Sequence, residues 1–268
     1  MIKEKIYEKI RARGTRKHHE KQNEFVVHPS GVCGCQRALW YKFSGVEPTN
    51  PPLDAGLEKM WMGEILHGAL NDLLHDGHFT PGESKKGDID GIQYVYEPDG
   101  IVEMDGKKWV VEFKTVFLGG WNTVQNEPKP EHLTQLAIYM QLEEADAGVL
   151  LYLDRGSGHM IEYSLTRGAK FDALLQDAKK RVRELQGNLA AGIPPEPEFP
   201  IFIKRVQGGG MSFDFTKDGK AYKTGFPCRW GKKDTCAYFD LCRKNYIDPI
   251  QKGLADFNLD GHIIGGAE

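Results

Sequence analysis

Long apolar runs are missing from this chain. No stretch approaches the length of a transmembrane helix, which argues against a membrane-spanning protein. The opening residues, Met1-Ile2-Lys3-Glu4-Lys5, lead into a charged amphipathic stretch and carry no apolar segment of the secretory-signal kind. A cytoplasmic location is therefore expected, where structural disulfides are rare. There is no internal repeat and no low-complexity segment. A strong net charge is also absent: at −3 over 268 residues, the overall balance does not mark a nucleic-acid binder. Its distribution is more informative. Residues 1–21 carry a balance of +5, residues 217–244 another +5, and the remainder −13. Basic ends around an acidic middle suit a phosphate-gripping rim about a carboxylate-rich, metal-dependent centre. Two solvated charged faces are the plain alternative.

Cysteine is absent from the middle of the chain. The five cysteines are Cys33, Cys35, Cys228, Cys236 and Cys242. In a reducing compartment such clustering points to a bound metal or cluster rather than to disulfides. The three late cysteines need a fourth thiolate, which Cys33 or Cys35 supplies. Four thiolates fit zinc or an iron–sulfur cluster, and spacing alone does not decide between them. Two close pairs of the zinc-finger type are missing, since seven residues separate Cys228 from Cys236. Five ordinary buried cysteines are the structural alternative.

What is present reads as alternating helices and strands. A basic helix is expected over residues 1–22, another from Cys35 to Phe43, and a third from Leu57 to Leu74. The third carries an apolar stripe of Leu66, Leu70, Leu73 and Leu74, with His67 at its border. Strands follow from Ile92 to Met104 and from Lys107 to Thr115. A loop rich in Gly, Asn and Pro spans Gly119 to Pro130. A helix from about Glu131 to Glu144 is apolar nearly all round, so it is expected to be buried. Strands at Val149–Leu153 and Met160–Leu165 and an amphipathic helix at Lys170–Leu189 complete the core. Pro194–Pro200 reads as a linker to the cysteine-bearing segment. This order indicates an α/β fold, a mixed sheet flanked by helices. The divisions expected are 1–50 (basic helix and first cysteines), 51–200 (core) and 201–268 (late cysteines packing on the N-terminal segment), forming one compact unit.

Asp105-Gly106 is a strong two-residue hairpin signal. Such a turn pairs Met104 with Lys107, and counting outward sets Asp99 opposite Glu112. Lys114, two residues on, shares the face of Glu112. Facing carboxylates repel unless a positive charge lies between them. A divalent metal meets that need, and the adjacent lysine would face an anionic substrate. Glu112 lies within Trp109-Val110-Val111-Glu112-Phe113-Lys114, where a charge is partly buried and requires partners. An exposed hairpin with a cross-strand carboxylate pair is the alternative, and a bulge at Pro98-Asp99-Gly100 would shift the pairing by one. On the buried helix, Gln135 and Tyr139 lie one turn apart and aim two polar tips in one direction.

Taken in order, His67 on a helix, Asp99 in Pro98-Asp99-Gly100, Glu112-Phe113-Lys114-Thr115 and Gln135-Leu136-Ala137-Ile138-Tyr139 resemble the RecB-type branch of the PD-(D/E)XK nucleases. Cys35-Gln36-Arg37-Ala38-Leu39-Trp40-Tyr41, with the three late cysteines, resembles that branch's iron–sulfur subgroup. The subgroup includes the CRISPR-associated Cas-four nucleases, phage relatives and the AddB nuclease domain. The resemblance covers about residues 28–245. It departs in having two early cysteines and a long gap between Cys228 and Cys236.

The resemblance implies a restriction-endonuclease-like fold with an iron–sulfur lobe joining the two ends of the chain. His67, Asp99, Glu112 and the Phe113 carbonyl would hold Mg²⁺ or Mn²⁺. Lys114 would position or activate water, and Gln135 and Tyr139 would steady the site and contact DNA. Cys35, Cys228, Cys236 and Cys242 would hold a four-iron four-sulfur cluster, with zinc as the alternative and Cys33 as the rival fourth ligand. The implied activity is that of an exonuclease on single-stranded DNA ends in recombination, repair or CRISPR adaptation. A DNA-end-binding module serving a partner recombinase or integrase is the alternative. An oligomer is compatible with either.

Overall fold

The computed structural model describes residues 2–19, 25–50, 54–75, 78–196, 201–205, 211–217, 220–222, 229–230, 234–242 and 262–264. They fall into two compact units. One comprises Asn23–Gly34 and Glu58–Gln186; the other comprises Met1–Gln22, Cys35–Leu57 and Gly187–Glu268.

Helices α1 (Ile2–His19), α2 (Gln36–Phe43) and α3 (Asp54–Leu74) come first in the chain. Strands β1 (Phe79–Pro81), β2 (Lys85–Ile89), β3 (Ile92–Tyr96), β4 (Gly100–Met104) and β5 (Lys107–Val116) follow. Next come α4 (Leu118–Val124), α5 (Pro130–Leu142), β6 (Ala147–Asp154), β7 (Met160–Thr166) and α6 (Ala169–Ala191). Among the described residues no helix is long and apolar enough to cross a membrane.

The first unit is built on a five-stranded mixed sheet of order β1-β4-β5-β6-β7. Only β5 and β6 run parallel; α5 is the crossover between them. Asp105 and Gly106 both have positive φ, 52° and 69°, as the twist-matched hairpin turn requires. The ladder then runs from Met104↔Lys107 to Gly100↔Val111 without a bulge. The single strand expected from Ile92 to Met104 is two strands. The run breaks at Glu97-Pro98-Asp99, and β3 pairs instead with β2 in a separate ribbon. Proline has no N–H to give a ladder and disfavours continuation at this point. Gly100 is needed where it stands, because a Cβ there would lie 2.2 Å from the Phe79 ring.

Helix α5 begins with Pro130 in its first turn and is buried from Leu133 to Met140. Its Leu136 lies against Gly148 of β6, where a Cβ would come within 2.8 Å. Close helix–sheet packing of this kind fixes where α5 directs its polar side chains. The loop expected from Gly119 to Pro130 contains α4, because Val124 is fully buried and Trp121 packs on the core. Burial of those two outweighs the weak helix propensity of Gly119, Gly120 and Asn122. The stripe expected on α3 is also turned: Leu70 packs against Phe79, Val111 and Phe113, whereas Leu73 is 81% exposed.

In the second unit, β8 (Ile201–Arg205), β9 (Met211–Lys217), β10 (Lys220–Tyr222) and β13 (His262–Ile264) form a sheet of order β10-β9-β8-β13. A short hairpin pairs β11 (Arg229–Trp230) with β12 (Asp234–Thr235), ahead of α7 (Phe239–Cys242). Arg37 of α2 donates to the Pro195 carbonyl at 2.8 Å, and Trp40 to that of Asn188 at 3.2 Å. Tyr41 packs on Tyr238 with ring centroids 5.4 Å apart.

Candidate active site

Helix α3, strand β5, helix α5 and the segment just before β4 bring polar side chains to one site in the first unit. The β4–β5 ladder ends at Gly100, which leaves Asp99 just beyond it and across from Glu112. Asp99 Oδ2 accepts the Phe113 N–H at 2.7 Å, so the carboxylate occupies the place of the next backbone acceptor. Asp99 Oδ1 meets His67 Nδ1 of α3 at 3.0 Å. His67 packs edge-on against the Phe113 ring, with centroids 5.9 Å apart.

The second half of the network lies between β5 and α5. Glu112 is 3% exposed. Its Oε1 accepts from Lys114 Nζ at 2.6 Å and from Gln135 Nε2 at 2.7 Å. Gln135 Oε1 accepts a further hydrogen bond from Lys114 at 2.9 Å. Gln135 Nε2 also reaches the Tyr139 hydroxyl at 3.0 Å. The amide of Gln135 therefore bridges acid, lysine and phenol, as the one-turn spacing of Gln135 and Tyr139 allows.

The electrostatics follow from burial. Desolvation pushes the Glu112 carboxyl up to about 7, the Lys114 ammonium opposes this, and the Asp99 charge adds to it. Tyr139 is held far above the ordinary phenol range by burial, with the Glu112 charge as the next cause. Below the network, His132 is driven down to about 3 by burial and by Lys114 and Lys129. The Tyr152 hydroxyl accepts the Lys129 N–H at 3.1 Å and lies 2.8 Å from His132 Nδ1.

His67, Asp99 and Phe113 thus form one bonded group and Glu112, Lys114, Gln135 and Tyr139 another, and the two adjoin along β5 at Glu112-Phe113-Lys114. Among the described residues, however, no three or more His, Cys, Asp or Glu side chains are gathered as a metal-holding group. The donors are engaged with each other: His67 with Asp99, and Glu112 with Lys114 and Gln135.

The same holds for the thiolates expected to hold a cluster. Among the described residues Cys33, Cys35, Cys236 and Cys242 form no disulfide and are not gathered as a cluster; Cys228 lies outside the described residues. Cys33 belongs to the first unit, and Cys35, Cys236 and Cys242 to the second. Burial pushes the Cys236 and Cys242 thiols up, and Cys236 raises Cys242 further. Sequence reasoning missed His132, which feels the Lys114 charge, and its partner Tyr152. Neither of them sits in a spacing that marks a site.

No protein-family model matches this sequence, and no curated protein matches it significantly. Several solved structures are similar to part of this chain. The protein SSO0001 is 20% identical, with a TM-score of 0.49 over 69% of this chain and 86% of its own. An alkaline exonuclease, LHK-Exo from Laribacter hongkongensis, is 18% identical, with a TM-score of 0.44 over 62% and 89%. It has also been solved in complex with dAMP. A phage-related exonuclease from Haemophilus somnus 129PT is 11% identical, with a TM-score of 0.43 over 61% and 82%. At that distance the chemistry has to be read from this chain's own residues.

Proposed function

We propose that this chain is a metal-dependent deoxyribonuclease that hydrolyses phosphodiester bonds at ends of single-stranded DNA. The observation that carries the reading is the Lys114 ammonium, held between Glu112 and Gln135 beside a second acid, Asp99. An ammonium has three N–H donors. Two go to Glu112 and Gln135, which leaves one for a water or a phosphoryl oxygen. The basic runs at residues 1–21 and 217–244 supply charge for a polyanion.

The donor set suits Mg²⁺ or Mn²⁺: one imidazole and two carboxylates, with the Phe113 carbonyl as the expected fourth donor. Two of these, His67 and Asp99, already touch, and the Asp99 charge raises the cost of ionising Glu112. That repulsion is what a divalent cation relieves. When bound, such an ion lowers the pKa of a water and neutralises phosphoryl oxygens. The protein's part is positional. Asp99 is fixed by the Phe113 amide. Gln135 fixes both Glu112 and Lys114. Lys114 orients water and offsets charge on the phosphate. Tyr139, which stays protonated, anchors Gln135 and offers its hydroxyl to the substrate strand.

A four-iron four-sulfur cluster on Cys35, Cys228, Cys236 and Cys242, with zinc as the alternative ion, completes the reading; it would tie the early and late segments together. The test is digestion of end-labelled single-stranded DNA with Mn²⁺, wild type beside Asp99→Ala, on anaerobically purified protein. Shortening by the wild type alone is expected. If neither protein cuts but both retard the DNA in a gel, the chain is a DNA-end-binding module. If neither cuts nor binds, the DNA reading is lost.

A further inference from the structure

Strand β5 continues past Lys114 to Val116, and the next residue, Phe117, is 53% exposed. An exposed phenyl ring at this point is not left bare. The Arg155 guanidinium lies over it, 3.9 Å from the ring centroid. One turn further along α4, Trp121 faces His159, with ring centroids 6.4 Å apart. Phe117 and Trp121 come from one segment, Arg155 and His159 from another, and they interleave two by two. The two segments are tied by the Arg155 N–H donating to the Val116 carbonyl at 2.9 Å.

The turn that carries Arg155 is locked. Asp154 Oδ2 accepts the Ser157 hydroxyl at 2.6 Å, and Oδ1 accepts the Gly156 N–H at 3.1 Å. The Gly158 N–H closes on the Asp154 carbonyl at 2.8 Å. The Arg155 side chain donates to the Lys59 carbonyl at 3.3 Å, and among the described residues its buried Nε has no partner. Among the described residues no carboxylate pairs with it. A rigid, unneutralised cation behind a half-exposed ring suits an anionic ligand that also has a flat face. By strand rise the pair stands roughly 10 Å along the chain from Lys114.

We propose that Phe117, with Arg155 on its covered side, is the stacking platform for a base of the single strand that is cut at Lys114. The inference rests on the nuclease reading and adds where the strand is held. The open face of the ring takes the base, and Arg155 supplies charge toward the backbone. Stacking is indifferent to base identity, which suits an enzyme that must process any sequence.

The test is fluorescence anisotropy in a calcium buffer, with a labelled thymidine oligonucleotide and an abasic oligonucleotide of equal length as probes. Phe117→Ala is expected to weaken binding of the base-bearing probe by about tenfold or more. The abasic probe changes by less than about twofold, and Phe117→Trp restores the base-bearing value. Phe117→Leu keeps apolar bulk but no π-face, so it decides the matter if the alanine variant melts. Equal weakening on both probes, or no change on either, overturns the platform while wild-type cleavage leaves the nuclease reading standing. A wild type that neither binds nor cuts either probe overturns both.

Discussion

Asp99 Oδ2 takes the amide hydrogen of Phe113 at 2.7 Å, one residue past the end of the β4–β5 ladder. The side chain extends the sheet by one hydrogen bond and leaves Oδ1 to His67. Asp99→Asn keeps an acceptor for Phe113 but removes the charge; Asp99→Ala removes both. Both variants are expected to lose cleavage by about 100-fold or more. Only the alanine variant should also lose stability, by about 1–2 kcal/mol, seen in urea denaturation. Cleavage by either variant near the wild-type rate would remove Asp99 from the catalytic set.

Lys114→Met leaves Glu112 buried without its cation, a change that costs about 3–5 kcal/mol when the acid stays charged. The cost depends on pH. Folding raises the Glu112 carboxyl from its usual 4.5 to about 7. Its contribution is therefore fully present below about pH 4.5 and is lost as pH rises through 7. The Lys114→Met penalty should be large at pH 8 and shrink to about 1 kcal/mol near pH 5, where the carboxyl holds its proton. Urea titrations at the two pH values measure it; equal penalties would mean the acid stays ionised in both.

His132 titrates in the opposite sense. Its folded value near 3 lies below the ordinary 6.5, so the stability tied to the neutral ring is complete above pH 6.5 and falls as pH drops toward 3. The loss between pH 6.5 and 4 should be on the order of 2 kcal/mol, allowing for partial exposure of the ring. In His132→Asn this slope flattens, which a thermal melt series across that range records.

Iron and acid-labile sulfide should copurify with the anaerobic wild type and fall in Cys35→Ala, Cys236→Ala and Cys242→Ala. Cys33→Ala should keep its iron. Loss of iron in the Cys33 variant with retention in the Cys35 variant would exchange the two as fourth ligand. Zinc in place of iron would remove the cluster and leave the nuclease chemistry untouched.

Much of the hairpin was legible because its information is local. Asp105-Gly106 sets both positive φ values, and a two-residue turn leaves no freedom in counting from Met104↔Lys107 to Gly100↔Val111. The burial of α5 was legible from its composition, and so was the shared direction of Gln135 and Tyr139. What escaped depends on distant parts of the chain. The break at Pro98 is the exception, a local one: Glu97-Pro98-Asp99 separates the apolar run ending at Tyr96 from the one beginning at Ile101. Helix α4 exists because Val124 and Trp121 find the core, not because its residues favour helix. The inward face of α3 is set by Phe79 and Phe113, so Leu73 is left outside. The lysine's two acceptors could be guessed by type, but the bridging role of Gln135 required the packing of Leu136 on Gly148.

The two units are threaded differently through the chain. One is nearly continuous, from Glu58 to Gln186 with a short earlier piece, whereas the other is assembled from three separated segments, the last beginning at Gly187. On the ribosome, every residue from His67 to Tyr139 has therefore been made before the largest part of the second unit exists. The unit bearing the polar network can fold while the first helices of the chain still wait for their partners. A stop codon just after Gln186 would separate the two fates: a complete network on one side, and two orphaned N-terminal segments on the other.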